Sequence, residues 1–522
     1  MFSAKNHVTS HSVFITIPDM KLTAKLLVMG AFAAVGFAPA AAEKLIMLHT
    51  NDTHSQIDPF EEDGLGGVAR RKVLIDSVRA NEPNVLLIDA GDAVQGSLFF
   101  TLFGGEVEER MLNALGYDIR ILGNHEFDNG GDSIAHWMKM SNAELLSTNY
   151  DLSGSALGPL FKPFTIKEYD GRRIGFIGIN RDLEGLARVG TYNGVKYTDA
   201  IEAANAAAWW LKNVEHCDAV VAVTHIGYKT SDDIDDVTLA KNSRDIDVII
   251  GGHSHTAIDP STEKGREMGH VVNADGDTVL IAQTGKGARN LGVVEIDLET
   301  LKPSSRYLSV DSRLDSRVNA DLLAAIGRYR AGVDSLNAVR VAASAVPLEQ
   351  GSPELLNYVT DFVLDRGGEL APGVDLAIMN RGGLRRSLPK GDISEGQIIM
   401  MMPFYNYIDV IDIKGSDLLD AFDVTAAFGG QGVSRNVQAV VNPASKKAVE
   451  VLVDGKPIDP DRTYRLATID YLSAGGDYMK PLTKGTKVAQ SPNVIYNDLM
   501  DYMRASKKKI NPSAQPRVKV VK

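Results

Sequence analysis

One cysteine, Cys217, stands among 522 residues, so no disulfide can form within the chain, and its stability rests on packing and any bound metal. Cys217 precedes a strongly apolar stretch and reads as a small buried hydrophobe, not a catalytic thiol. Positive charge is in deficit: 55 Lys and Arg against 67 Asp and Glu give a net charge of −12. A surface that neutralises nucleic-acid phosphates needs clustered cations, so nucleic acid is not an expected partner. An anionic substrate would have to meet local positive charge, from metal ions or a few arginines, against the overall field. Long apolar runs are scarce too. The sustained one, Leu26 to Phe37, follows Lys21 and Lys25 and leads into Pro39 and Ala40-Ala41-Ala42. It is shorter than the roughly 20 residues that span a bilayer, and its basic, apolar and small-residue parts come in secretory order. The expectation is a signal peptide over residues 1–42, with Met20 as an alternative start, and a periplasmic or secreted protein with no stable membrane anchor after cleavage. Nothing in the sequence fixes an oligomeric state.

What is present is ordinary globular composition, 44% apolar and 23% charged, at a length suited to two or three domains. From Lys44 to about Leu301 one arrangement recurs: a short β-rich apolar run, a polar cluster, then helix-like or loop sequence. The runs are KLIMLHT, NVLLIDAGD, IRILGNHEFD, RIGFIGIN, AVVAVTHIGY, DIDVIIGGHSH and TVLIAQTG. Continuous apolar strands are buried on both faces, which predicts α/β layering with loops converging at the strand C-terminal ends. Between Asp311 and Arg330 the pattern becomes helical, with Leu322, Leu323, Ile326 and Tyr329 on one side. Residues 43–310 therefore read as one domain, 311–340 as a linker helix or hinge, and 341–522 as a second, mixed α and β domain.

The polar clusters hold residues suited to divalent metals. Asp52 and His54 follow the first run, Asp92 the second, Asn124 and His125 the third, then come His225, His253 and His255. Carboxylate with imidazole suits Zn, Mn, Fe or Co, and an amide carbonyl adds a neutral hard ligand. In Asp-x-His an extended backbone would put both side chains on one side, and the same reasoning applies to His253 and His255. Gly91, Gly123, Gly251 and Gly252 are expected to let the backbone turn tightly there. A lone His or Asp at a strand end is usually a cap; recurrence at five strand ends points to metal.

In that order, D-x-H, G-D, G-N-H-E, a lone His and G-H-x-H resemble the calcineurin-type metallophosphoesterases. LHTNDTHSQID, IDAGDAVQGS, LGNHEFDNG and GGHSHT are similar, more narrowly, to the 5′-nucleotidase family within them. The resemblance implies a four-layer α/β/β/α catalytic domain followed by an α+β substrate-binding domain. It also implies two divalent metal ions (Zn, Mn, Co, Fe or Mg). Asp52, His54, Asp92 and His255 would hold one, and Asp92, Asn124, His225 and His253 the other, with Asp92 bridging. Such a pair generates a hydroxide that attacks the phosphoryl group in line. His125 would stabilise charge beside that group with Asp128 orienting it, although Asp128 read alone also suits a helix cap near Asn129.

In the second domain, MNRGGLRRSLPKGDIS, PFYNYI and ATIDYLSAGGDYM resemble the nucleoside-binding segments of the same family. Matching positions are Asn380, Arg385, Phe404, Asn406, Tyr471 and Asp477. Phe404 and Tyr471 would sandwich a base, Asp477 would accept from ribose hydroxyls, and Arg385 would supply positive charge. Two departures stand out: Tyr471 where relatives carry Phe, and PLEQGSPELLNYVTD without the arginines relatives have there, for which Arg381 or Arg386 would compensate. The implied activity is release of phosphate from nucleoside 5′-monophosphates. The alternatives are 2′,3′-cyclic-nucleotide phosphodiesterase with 3′-nucleotidase activity, UDP-sugar hydrolysis, or nucleotide binding on an inactive scaffold.

Overall fold

Each of the seven apolar runs forms a strand in the computed structural model: β1 (Lys44–Thr50), β2 (Val85–Asp89), β3 (Ile119–Ile121), β4 (Arg172–Asn180), β5 (Ala219–His225), β6 (Val248–Ile250) and β7 (Thr278–Ala282). The structure describes residues 43–230, 234–506 and 508–521, and the expected signal peptide lies outside them. Residues 44–522 form one compact unit. β1, β2 and β3 pair in parallel within a seven-stranded sheet, and β4 to β7 pair in parallel within a six-stranded one.

Period-two alternation shows how the layers stack. On β1, Leu45 and Met47 join Ile88 and Ile121 against Phe176, Val221 and Ile250 of the other sheet. Ile46 and Leu48 point the opposite way, toward Val68, Ile75, Val107 and Met111 on helices Val68–Asn81 and Glu106–Leu115. β5 repeats the pattern, with Val220 and Ala222 packed against Ala204, Ala208 and Leu211 of helix Ala200–Asn213. Both faces of both sheets are therefore buried, giving helix, sheet, sheet, helix. Each fully buried Val, Leu or Ile in these layers contributes about 1.5–3 kcal/mol. Cys217 lies in the outer cluster, where burial raises its thiol pKa, as expected of an inert core residue.

The expected linker helix differs in detail. Ser312–Arg317 is a 3-10 turn, and the helix runs Ala320–Ala338, started by the Asn319 side chain accepting from the Asp321 and Leu322 N–H groups. Leu322 and Ile326 are buried and the Tyr329 hydroxyl donates to Glu106, but Leu323 is 45% exposed. At 3.6 residues per turn Leu323 sits about 100° from Leu322, outside the buried stripe. The C-terminal domain is mixed α and β, with five-, four- and two-stranded sheets and helices including Pro353–Leu370 and Gly415–Ala427. The apolar cluster outside the first sheet continues into it through Phe362, Ile378 and Phe422.

Candidate functional site

The loops leaving β1, β2, β3 and β6, with the last residue of β5, bring the predicted metal residues together. Asp52, His54 and His255 offer ligand atoms within 4.8 Å of one another, as do Asp92, His225 and His253. Asn124 Oδ1 joins the second group at 2.9 Å from His253 Nδ1. The backbone achieves this by a route that sequence periodicity does not describe. Asp52, His54, Asp92, His253 and His255 all have φ between 48° and 76°. They are left-handed turn residues, not members of an extended segment, at a cost of order 1–3 kcal/mol each. Turns, not pleat alternation, therefore aim Asp52 and His54 at one cluster and send His253 and His255 to different ones. The glycine reading is corrected as well. Of the four, Gly91 alone has positive φ, at 84°, while Gly123 is required by close approach, since a Cβ there would lie 2.2 Å from Asp92 Oδ1.

The donors fit a metal by their own chemistry. His54 Nε2 and His255 Nε2 face each other at 2.9 Å, and His225 Nε2 lies 3.1 Å from Asp92 Oδ2. His225 Nδ1 donates to the Ala90 carbonyl at 2.7 Å, which fixes its tautomer and turns Nε2 inward. Asp52 Oδ1 and His225 Nε2 are buried and lack hydrogen-bond partners among the described residues. Burial disfavours the His225 cation, yet Asp92 and then Asp52 lift its pKa to about 10. Burial holds His253 neutral, its pKa near 3. Neutral imidazoles beside carboxylates that draw in positive charge are what a divalent cation satisfies, releasing the proton from His225.

His125 comes equally close to His54 and Asp92, so distance alone would admit it as a ligand. Its Nδ1, however, lies 2.9 Å from Asp128 Oδ2, and its backbone N–H donates to Asp92 Oδ1. Burial opposes charge on the ring, but Asp128 and Asp92 outweigh it and raise the pKa, and Nδ1 is already engaged by Asp128. The capping alternative for Asp128 is not what is seen: the next helix is Gly131–Met138, with Gly130 at its N-cap.

Two supporting residues were not singled out from sequence. Glu126, inside the GNHEFD motif, accepts from the N–H groups of Asp92, Ala93 and Gly123, tying two ligand loops together. Burial and the charge of Asp92 push its pKa to about 7. Asn51 donates to Asp52 Oδ2 and the Gly285 carbonyl and accepts from Thr284. Both lie in quoted motifs, and the signal missed was a buried polar residue next to a ligand.

All six predicted nucleoside-binding residues line one cavity of about 170 Å³, together with Asn124, His125 and Asp128. Phe404 stacks on His125, ring centroids 5.8 Å apart and planes 21° apart. The Tyr471 hydroxyl has partners that sequence did not reveal. It lies 2.9 Å from Asp477 Oδ1 and 3.1 Å from the Gly185 carbonyl, and accepts from the Asp477 N–H. Asp477 is itself left-handed, φ 49°, and its other oxygen takes the Asn380 amide at 2.8 Å. Burial raises the Asp477 pKa against these hydrogen bonds. Asn380 Oδ1 remains buried without a partner among the described residues. Leu186 and Arg188 of the N-terminal domain complete the wall, on a loop with no recognisable motif. Arg386 turns away from this cavity, 3.1 Å from Gln56 and stacked over Phe60, and Arg381 is not part of its wall.

Residues 46–257 match the calcineurin-like phosphoesterase family, and residues 335–484 match the 5′-nucleotidase, C-terminal domain. Human 5′-nucleotidase is 27% identical, with 94% of this chain and 93% of that protein covered. The trifunctional nucleotide phosphoesterase protein YfkN of Bacillus subtilis is also 27% identical over 91% of this chain, which spans 35% of that longer protein. The crystal structure of the 5′-nucleotidase precursor from Thermus thermophilus superposes with a TM-score of 0.82 at 28% identity, covering 92% of this chain and 99% of that one.

Proposed function

We propose, since the chain belongs to the calcineurin-like phosphoesterases that carry a 5′-nucleotidase C-terminal domain, that it is an exported hydrolase releasing phosphate from nucleoside 5′-monophosphates. One observation carries the reading: a single cavity is lined by Asn124, His125 and Asp128 of the N-terminal domain and by Asn380, Arg385, Phe404, Asn406, Tyr471 and Asp477 of the C-terminal domain. A substrate filling it would present its phosphate to the Asp/His clusters and its nucleoside to the C-terminal domain. Two metal ions would be held by Asp52, His54, Asp92 and His255, and by Asp92, Asn124, His225 and His253. When bound, divalent ions lower the pKa of a coordinated water and polarise the phosphoryl oxygens.

The chain's own groups do the rest. His125, kept protonated by Asp128, offsets charge on the phosphoryl group and donates a proton to the departing ribose 5′-oxygen. Phe404, backed on one face by His125, offers the other to the base, with Tyr471 across the cavity. Asp477 is already held by Tyr471 and by the Asn380 amide and serves more to shape the pocket. The division near residues 310 and 341, with helix Ala320–Ala338 leading into a hinge, belongs to the same reading, as does export directed by residues 1–42. Among the described residues no helix is long and apolar enough to cross a membrane.

Phosphate release from AMP, 2′,3′-cAMP and UDP-glucose under Mn, Zn, Co and Mg tests the substrate. AMP should be the preferred substrate by at least tenfold in kcat/KM. Preferred turnover of 2′,3′-cAMP or UDP-glucose would replace the reading with one of its alternatives. AMP binding without turnover under every metal would favour an inactive scaffold.

A further inference from the structure

Segment 182–188 follows β4 and carries Leu186 and Arg188 into the cavity wall beside Tyr471 and Asp477. It is pinned to the N-terminal domain by Leu183 and Ala187, both buried in the apolar cluster that also holds Phe127 of the His125 turn. The Leu183 carbonyl accepts from the Leu186 and Ala187 N–H groups, closing a tight turn that contains Gly185.

Gly185 meets the C-terminal domain at three points. Its carbonyl accepts from the Asp477 N–H at 2.8 Å and lies 3.1 Å from the Tyr471 hydroxyl, with the Leu186 carbonyl 3.3 Å from the same hydroxyl. Its φ is 81°, and a Cβ there would lie 2.9 Å from Cδ1 of the Tyr478 ring. Glycine is thus required twice, by a left-handed turn and by the close approach of a ring from the other domain. The flanking ion pairs add little. Glu184 and Lys480, 2.7 Å apart, are 62% and 70% exposed, and Arg188 stands 3.7 Å from Asp470. Across the junction, Asp477 and Tyr478 are themselves left-handed, φ 49° and 60°. Such residues cost of order 1–3 kcal/mol each and persist where their surroundings fix them. The contacts from Gly185 are part of that fixing.

We infer that Gly185 is a positioning residue for the nucleoside. Acting through Tyr471 and Asp477, it completes the base-bearing end of the cavity from the opposite domain, so a nucleoside is gripped only while segment 182–188 is docked there. None of the seven proposed metal ligands comes from this segment, so hydrolysis of an ester that lacks ribose and base does not depend on it. This rests on the nucleotide reading above and adds to it a residue of the N-terminal domain that selects for the nucleoside.

The test is steady-state kinetics of the metal-loaded full chain with AMP and with 4-nitrophenyl phosphate, which carries phosphate but neither ribose nor base. Gly185→Ala should raise KM for AMP about tenfold with kcat changed less than about threefold. Its kcat/KM for 4-nitrophenyl phosphate should stay within about twofold, which also establishes that the variant folds. Tyr471→Phe, which removes only the hydroxyl, should give the same split in smaller degree. In the double variant the loss in kcat/KM for AMP should fall at least about threefold short of the product of the two single losses, because both changes break one junction. Equal losses on both substrates would make Gly185 a residue of the fold or the metal centre and overturn the inference, as would an unchanged KM for AMP or fully multiplicative losses. If the unaltered protein hydrolyses 4-nitrophenyl phosphate and not AMP, the nucleotide reading fails and this inference with it; multiplicative losses with AMP turnover intact overturn the inference alone.

Discussion

His125 is held by a carboxylate at its edge and covered by an aromatic ring on its face, and both contacts have consequences. Asp128 raises its pKa, so the protonated form persists to higher pH than in a free imidazole, and activity that depends on that proton should fall as pH rises through the raised value. In Asp128→Asn the alkaline limb of kcat should move to lower pH, read from pH profiles of phosphate release. His125→Ala should lower kcat by about 10²- to 10⁴-fold, the range for a lost general acid. Metal content measured by atomic absorption should stay unchanged, because the seven proposed ligands remain. The pairing of His125 with Asp128 was legible in the sequence because the two sit in a short local motif. The Tyr471 hydroxyl was not, since Asp477 and Gly185 reach it through tertiary contact. Tyr471→Phe should free Asp477 from its left-handed turn and raise KM several-fold with a smaller change in kcat, a split that steady-state kinetics would show.

At the scale of elements, the sequence told where strands end and not how the chain turns there. Apolar runs of the right length marked all seven strands, because burial on both faces leaves an unmistakable composition. Five left-handed non-glycine residues carry no such mark, because φ above zero at Asp or His is imposed by the surrounding loops. The helix Glu106–Leu115 holds a similar hidden cost. Glu108 is 3% exposed, neither carboxylate oxygen has a hydrogen-bond partner among the described residues, and burial pushes its pKa to about 7. The folded state keeps that proton up to about pH 7, whereas the unfolded chain releases it near 4.5. Stability therefore falls as pH rises from about 4.5 to 7 and stays reduced above. Glu108→Met should remove a penalty of order 3 kcal/mol at pH 8 and much less at pH 5. Thermal melts at the two pH values check this; an equal shift at both would mean that the carboxylate bears no such penalty.

For the whole molecule, two domains of different architecture meet at one cavity, and neither wall alone suggests a substrate. The four-layer stack was expected from resemblance and is visible in the alternation of β1 and β5 between two apolar clusters. The meeting of loop 185–188 with Tyr471 and Asp477 was not, because contact between distant segments leaves no periodic trace. Asp52 Oδ1 and His225 Nε2, buried without hydrogen-bond partners among the described residues, would gain one from a bound cation: chelation should lower the melting temperature by several degrees, reversibly on adding metal. The central claim is that phosphate is released from AMP by a centre holding two metal ions. Titrating chelated, dialysed protein with Mn or Zn while following AMP hydrolysis tests it most directly. Activity should rise from background and reach its plateau at two equivalents per chain; a plateau at one equivalent, or hydrolysis that survives chelation, would contradict it.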